Sequence, residues 1–345
     1  MKTGIFYGPG DIRVETRPDP TIQEPTDVVV KVTYSCICGS DLWAWRAINK
    51  RETGGPVGHE FMGIVEAVGD TVTKFKVGDL VIAPFSISDG TCPECRNGMT
   101  SACRHGSNWG RDDNDGGQAS MVRVPMAEGT LTAVPDHDKL NEQVMRALLP
   151  LSDVLCTGHH VAVSAEVGPG KTVAVIGDGA VGLCAVAASK RLGATKIILI
   201  STHPDRAEIG QQFGATDIVD ARGDDAVKQI KALTDDAGVD AMLECVGTDE
   251  SWETSFAMTR AGGIIGFVGA PHAKDPSLMR MFRANIGIRG GVAPAGAYIP
   301  ELLPDVLSGK LDVSPIFTLT IPLDDLAEGY QAMDERRAIK TLIKL

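Results

Sequence analysis

The chain of 345 residues has no uninterrupted apolar run near the roughly 18 residues that would mark a membrane-spanning helix. Its first residues, Met1-Lys2-Thr3-Gly4, lack the apolar core and cleavage site of a secretory leader. Both absences point to a cytoplasmic soluble protein. Positive charge is also in deficit: 33 Lys and Arg against 45 Asp and Glu leave a formal net charge of −12. Nucleic acid and anionic membrane are polyanions that such a surface repels at long range, so neither is an expected partner. A phosphorylated cofactor would need local positive groups. Internal repeats and low-complexity tracts are missing too. The length exceeds one ordinary hydrophobic core, which suggests two domains.

The eight cysteines do not read as a disulfide framework. Cys92, Cys95 and Cys103 cluster, while Cys184 and Cys245 stand alone, a distribution that suits reduced, metal-binding thiols. A second group lies upstream, where Cys38-Gly39-Ser40-Asp41 is followed by Gly58-His59-Glu60. A thiolate and an imidazole are ligand types of catalytic zinc, which needs one further protein ligand and keeps a fourth position open. Asp153, in Pro150-Leu151-Ser152-Asp153, is the candidate. Taken singly, each has an ordinary structural reading: a buried apolar Cys38, a strand-edge His59, a helix cap at Asp153.

Short apolar runs separated by Pro-rich turns (Gly4-Ile5-Phe6-Tyr7, Ile12-Arg13-Val14, Val28 to Val32, Phe61 to Val68, Leu80 to Ala83) make the first 150 residues β-rich. The pattern then changes. Lys171 to Ile176 reads as a buried strand that runs into Gly177-Asp178-Gly179-Ala180-Val181-Gly182, an Ala-rich helix to Leu192 and a strand at Lys196 to Ile200. Glycines there let pyrophosphate approach backbone donors at the helix N-terminus. Further strands are expected at Ile218-Val219, Val239 to Cys245, Gly263 to Val268 and Ile286 to Arg289, with helices at Ala226 to Leu233 and Trp252 to Thr259. Six strands separated mainly by helices fit a doubly wound parallel sheet. After Pro294 come a helix near Ile299 to Leu307, a strand at Ile316 to Ile321, a helical segment from Leu323 to Met333 and a last strand, Lys340 to Leu345.

Cys-Gly-Ser-Asp followed at this distance by Gly-His-Glu resembles the zinc-dependent alcohol dehydrogenases of the medium-chain dehydrogenase/reductase family, and the resemblance covers essentially the whole chain. It implies an α/β fold in which a β-rich GroES-like catalytic domain, residues 1–153 and 295–345, carries an inserted Rossmann domain, residues 154–294. It implies catalytic zinc at Cys38, His59 and Asp153, with Glu60 able to exchange with bound water or Asp153. Ser40 falls where relatives place the hydroxyl that takes the substrate's proton, and Asp41 is expected to orient His59. Relatives continue the relay with a histidine where this chain has Trp43, so water, or His159 or His160, would have to carry the proton onward. A four-cysteine structural-zinc lobe of the family is matched by Cys92, Cys95 and Cys103, with Asp89 at the first position; a carboxylate can replace one thiolate there. His105 is the second choice for that position, after Asp89. Trp43, Trp45 and Trp109 are candidates for a pocket wall.

The expected coenzyme contacts are Thr157, Gly177, Gly179, Ala180, Val181, Gly182, Val246 and Val268. Coenzyme choice is read at the end of the second Rossmann strand. An NAD enzyme usually carries an acid there for the ribose 2′-hydroxyl, and this chain has Ser201-Thr202-His203-Pro204-Asp205-Arg206. With Ser201, Thr202, His203 and Arg206 as donors, NADP is expected in preference to NAD. The expected function is hydride transfer between NADP(H) and an alcohol, aldehyde or ketone, by a homo-oligomer, tetramer rather than dimer. A polyol, sugar or threonine dehydrogenase is the near alternative, and a non-catalytic NADP-binding protein the distant one.

Overall fold

A computed structural model describes residues 1–272 and 278–345. The chain divides into two compact units, Met1–Asp153 with Pro294–Leu345, and Val154–Ala293.

The first unit is built on a sheet of seven strands. Its order is Phe317–Pro322, Lys340–Lys344, Val28–Ile37, Phe61–Val68, Leu80–Ala83 and Thr132–Ala133, with Met121–Val124 also paired to Val28–Ile37. The β-branched run at Val28, Val30 and Val32 lays alternate side chains into one apolar cluster with Phe61, Val65, Val81 and Val122. At the far end of the same strand Ile37 belongs to a second cluster, with Phe6, Leu42, Leu326, Tyr330 and Ile343. The strand is thus buried on both sides and anchors the loop that carries Cys38. Its register with the last strand, Thr341 opposite Ile37 and Leu342 opposite Cys36, brings the chain's C-terminal end beside the segment that leads to Cys38.

The second unit carries six parallel strands in the order Asp217–Val219, Lys196–Ile200, Thr172–Ile176, Val239–Glu244, Thr259–Phe267 and Gly287–Gly290. Val173, Ala174 and Val175, Ile197 to Leu199 and Ala241 to Leu243 are fully or almost fully buried, as strands covered on both faces require. Helices Ala180–Arg191, Pro204–Phe213, Gly223–Leu233 and Asp249–Met258 lie between them in sequence.

Two C-terminal elements differ from the sequence reading. The helix expected near Ile299 begins at Ala295 and runs to Leu307 through Pro300 and Pro304, which cannot donate to the preceding turn. Burial of Ile299, Leu302, Leu303 and Val306 offsets those missing bonds. The segment from Leu323 divides into a 3-10 turn, Leu323–Asp325, and a helix, Leu326–Asp334. Among the described residues no helix is long and apolar enough to cross a membrane.

Candidate active site

Cys38 stands just past the end of strand Val28–Ile37, and His59-Glu60 precede strand Phe61–Val68, which pairs antiparallel with it through Ser35 and Phe61. The two segments therefore meet at one end of the sheet. Asp153 arrives from the 3-10 turn Leu149–Ser152, whose Ser152 carbonyl accepts from the Phe85 amide at 2.9 Å. One ligand atom from each of Cys38, His59, Glu60 and Asp153 lies within 4.8 Å of the others. Asp153 Oδ2 is 3.4 Å from both Cys38 Sγ and His59 Nε2.

The His59 ring is held from its other side. Its Nδ1 lies 3.3 Å from Asp41 Oδ1, and Asp41 Oδ2 accepts from the Cys38 amide at 3.0 Å and from Gln118 Nε2 at 3.2 Å. Gln118 Oε1 in turn accepts from the Tyr330 hydroxyl at 2.9 Å. Gly58 makes this packing possible: its φ is +92°, and a Cβ there would meet the Gln118 amide nitrogen at 2.6 Å. No local motif in the sequence marks Gln118 or Tyr330.

Electrostatics explain what the cluster can hold. Burial pushes the Cys38 thiol up, and the charges of Asp153 and Glu60 push it further. Burial opposes charging His59, yet Asp41 and Cys38 outweigh it and hold the imidazole well above its usual value. Glu60 is fully buried; Lys340 Nζ donates to its Oε1 at 2.6 Å, whereas Oε2 is buried with no hydrogen-bond partner among the described residues. A thiol, an imidazole and two buried carboxyls, one with an orphan oxygen, form a donor set that a divalent cation would satisfy, releasing His59 to bind as the neutral ring. Zinc fits these residues.

The second cluster, Asp89, Cys92, Cys95 and Cys103, also brings one ligand atom from each within 4.8 Å. Asp89 Oδ1 accepts from the amides of Thr91 and Cys92, and Cys92 Sγ lies 3.7 Å from Cys103 Sγ. Burial acts to raise the Asp89 carboxyl, but the Cys92 amide and His105 prevail and keep it ionised. Burial and the neighbouring thiols push Cys95 up to about 12, so its thiolate needs a cation beside it. His105 Nδ1 sits 2.6 Å from Asp89 Oδ2, outside the four-donor set, where it supports the carboxylate.

A cavity of about 380 Å³ opens beside the first cluster, with Ser40, His59, Trp43 and Trp109 in its wall. The rest of its wall sets Ala44 and Phe85 beside Asp41, Asn49, Lys50, Arg51, Asn108 and Arg111. Ser40 begins the short helix Asp41–Trp45 and makes no capping bond with its side chain. Trp45 is absent from the wall: its ring packs 5.4 Å from that of Tyr330 and its Nε1 donates to Asp334, which corrects the expectation that it lines the pocket.

In the second unit the glycine turn joins strand Thr172–Ile176 to helix Ala180–Arg191. Gly177 has φ +106°, and a Cβ on Gly182 would lie 1.7 Å from the Gly177 carbonyl oxygen, so only glycine closes this turn. Gly179 is the helix N-cap, with Ala180 and Val181 in the first turn. Thr157, with His159 and His160, lies on helix Val154–Ser164. Val246 comes after strand Val239–Glu244 and Val268 after strand Thr259–Phe267, and the Val268 amide donates to the Glu244 carbonyl at 3.0 Å. Ser201, His203 and Arg206 all contact the carboxylate of Asp178, and Thr202 accepts from Arg222. In the sequence Asp178 is only the variable position of the glycine motif, with nothing to single it out.

Residues 24–136 match the alcohol dehydrogenase GroES-like domain and residues 180–307 the zinc-binding dehydrogenase family. The chain is 32% identical to zinc-type alcohol dehydrogenase B of Aspergillus flavus, over 100% of this chain and 81% of that one. It is 33% identical to sorbitol dehydrogenase of Bacillus subtilis, over 96% and 93% of the two chains. Among solved structures, an alcohol dehydrogenase from Thermus sp. ATN1 superposes with a TM-score of 0.91 at 32% identity, covering 100% of this chain and 99% of that one.

Proposed function

Because the chain belongs to the zinc-dependent alcohol dehydrogenases of the medium-chain dehydrogenase/reductase superfamily, we propose that it oxidises an alcohol, or reduces the matching aldehyde or ketone, at the cluster of Cys38, His59, Glu60 and Asp153. The observation that carries this reading is the convergence of those four donors beside a cavity that also exposes Ser40. When bound, zinc supplies Lewis acidity to the substrate oxygen and the nicotinamide supplies or accepts the hydride. Cys38, His59 and Asp153 would hold the metal, and Glu60, with its unpartnered oxygen, would be the fourth protein donor available to it. Asp41 fixes the ring of His59. Ser40 takes the proton of the substrate hydroxyl; with Trp43 beside it in the wall, water in the cavity carries that proton to solvent. Asp89, Cys92, Cys95 and Cys103 would hold a second, structural zinc, supplying four protein donors.

The cavity wall favours a polyol or sugar over a plain aliphatic alcohol. Asn49, Lys50, Arg51, Asn108 and Arg111 suit a substrate that is hydroxylated or negatively charged away from the reacting carbon, and the sorbitol dehydrogenase relative is consistent with that choice. Among the described residues neither Lys50 nor Arg111 has a carboxylate partner, which leaves both available to a substrate anion.

Self-association is supported by the helix Leu278–Ala284, where Leu278 and Phe282 are 78% and 81% exposed, next in sequence to the sheet's terminal strand Gly287–Gly290. A homo-oligomer built through that edge would cover both. Among the described residues the eight cysteines form no disulfide, which suits the reducing cytoplasm. The expected NADP preference needs Ser201, His203 and Arg206 to be open to a 2′-phosphate, and all three are engaged by Asp178.

The test is a panel of primary and secondary alcohols, polyols and sugar acids offered to zinc-replete enzyme, with nicotinamide absorbance as readout. Turnover concentrated among the polar substrates and abolished by a chelator is expected. Absence of chelator-sensitive turnover with any of them would remove the dehydrogenase reading.

A further inference from the structure

Asp178 stands between Gly177 and Gly179, at the mouth of the central strand of the second unit. Its carboxylate gathers three donors from the neighbouring strand end: Ser201 Oγ at 2.8 Å and His203 Nδ1 at 2.7 Å on Oδ2, and Arg206 Nη1 at 3.2 Å on Oδ1. The neighbour is strand Lys196–Ile200, which pairs in parallel with Thr172–Ile176 so that Ile200 lies opposite Ile176. Residues just past the two strand ends are therefore adjacent, and this adjacency brings the turn's only acid onto Ser201.

In a dinucleotide-binding unit that strand end is where the adenosine ribose is read, by an acid that bonds its 2′-hydroxyl in NAD enzymes. The strand end here has Ser201 in place of an acid. We propose that Asp178 supplies the missing carboxylate from the glycine turn, and that the enzyme consequently selects NAD(H) over NADP(H). The proposal rests on the dehydrogenase reading above and reverses the coenzyme preference that the strand-end residues alone suggest.

Three features support it. An ionised carboxylate offers about four acceptor positions; the three donors leave one, on Oδ1, for a ribose hydroxyl. Burial acts to raise the Asp178 carboxyl, but His203, Ser201 and Arg206 outweigh it and keep the group charged. Arg206 is itself mostly buried, with 14% of its side chain exposed, so its positive charge is spent on Asp178 rather than presented to a phosphate. A 2′-phosphate at this place would meet a fixed negative charge and would have to draw Arg206 and His203 away from it. Arg222, which donates to Thr202 at 3.1 Å, is an exposed cation beside the strand-end segment, and a single exposed charge is a weak counterweight.

The test uses zinc-replete, full-length protein and measures dissociation constants for NADH and NADPH by nicotinamide fluorescence, alongside kcat/KM for NAD and NADP. The wild type is expected to bind NADH at least about tenfold more tightly than NADPH, the effect of one charge-assisted hydrogen bond gained or lost. Asp178→Asn keeps the size of the side chain and removes the charge; it should weaken NADH and strengthen NADPH, narrowing or reversing the ratio. Adding Arg206→Ala to Asp178→Asn should take the NADPH gain away again. Asp178→Ser serves the same purpose if the asparagine variant folds poorly. Tighter binding of NADPH by the wild type, or a ratio that neither Asp178 variant moves, overturns the assignment while leaving the dehydrogenase reading intact. Binding of neither coenzyme overturns both.

Discussion

Lys340 Nζ lies 2.6 Å from Glu60 Oε1 although both side chains are essentially inaccessible to solvent, at 1% and 0%. The lysine also donates to the Ile37 carbonyl at 3.2 Å. Burial disfavours its charge, but Cys36, Glu60, Cys38 and Asp153 outweigh that cost and hold Lys340 protonated. The chain thus returns from the far end of the sequence to place a fixed cation behind the donors of the first cluster, where it restrains Oε1 of Glu60 and leaves Oε2 without a hydrogen-bond partner among the described residues.

Removing one partner of such a pair strands the other charge. Lys340→Met should lower stability by about 3–5 kcal/mol, the usual effect of breaking a buried ion pair. The paired replacement Glu60→Gln with Lys340→Met should recover much of it. Denaturant unfolding of the wild type and the two variants provides the comparison, and a Lys340→Met protein as stable as the wild type would show that the two charges do not form a buried pair.

The two donor clusters should behave differently when emptied. Cys38→Ala or His59→Ala is expected to abolish turnover with fold and coenzyme binding nearly intact, since neither residue belongs to the apolar clusters of the first unit. Cys95→Ala should instead lower the thermal midpoint, because Asp89, Cys92, Cys95 and Cys103 lie on a segment with little regular structure to hold it. Elemental analysis should give two zinc ions per wild-type chain, one for each cluster; a single ion would remove one of the two sites.

The parts legible in the sequence were those written locally. The strand, glycine turn and helix from Thr172 to Arg191 are dictated by neighbouring residues, and so is the spacing of Cys92 and Cys95. Cys38, His59, Glu60 and Asp153 could be picked out as one group because a known family pattern supplied their long-range relationship. The hidden contacts depended on topology. Lys340 meets Glu60 only because the last strand pairs with Val28–Ile37, and Gln118 reaches Asp41 only because its segment runs beside Val57 and Gly58. Asp178 meets Ser201 through a parallel strand pairing whose register no local pattern encodes.

Behind His59, the chain from Asp41 through Gln118 to Tyr330 is a support whose loss should appear in metal affinity. Asp41→Asn is expected to weaken zinc binding at the first cluster about 10–100-fold, as outer partners of ligating histidines usually do. Gln118→Ala should act in the same direction more weakly. Ser40→Ala should leave zinc affinity unchanged and reduce turnover by about two to four orders of magnitude, the range of general acid–base contributions. Competition with a chromophoric chelator separates the two effects, and an Asp41→Asn enzyme with wild-type zinc affinity would refute the support.

Asp178 also links stability to pH. Its carboxyl is held below the ordinary aspartate value in the folded chain. Such a group contributes stability that is present above the unfolded value, about 3.9, and is lost as pH falls through the lower folded value. Asp178→Asn should therefore be less stable than the wild type at pH 7, with the gap closing as pH drops below about 4. Urea unfolding at several pH values tracks the difference, and a gap that stays constant into acid would mean that the carboxylate's charge does not stabilise the turn.

The cations in the cavity wall carry the last expectation. Lys50, Arg51 and Arg111 stand there with one acid, Asp41, which is occupied by His59, Gln118 and the Cys38 amide. Arg51 is partly committed, donating to the carbonyls of Pro56 and Gly110. Lys50 and Arg111 are exposed and remain for the substrate. The same three cations also line the adjoining pocket with Glu52, Asp112 and Asp113, so the attraction they offer an anionic substrate is a short-range contact, set against those acids and a chain of net charge −12. Lys50→Ser and Arg111→Ser should each raise KM for a hydroxy acid or sugar phosphate by about three- to tenfold, as losing one partly exposed charge contact implies. Both should leave KM for an uncharged polyol nearly unchanged, and kcat should move little because neither residue touches the donor cluster. Added salt should raise the wild-type KM for the charged substrate while affecting the variants less, since screening acts on the same attraction the substitutions remove. Equal effects on charged and uncharged substrates would show that the two side chains only shape the wall, and the preference for anionic substrates would be withdrawn.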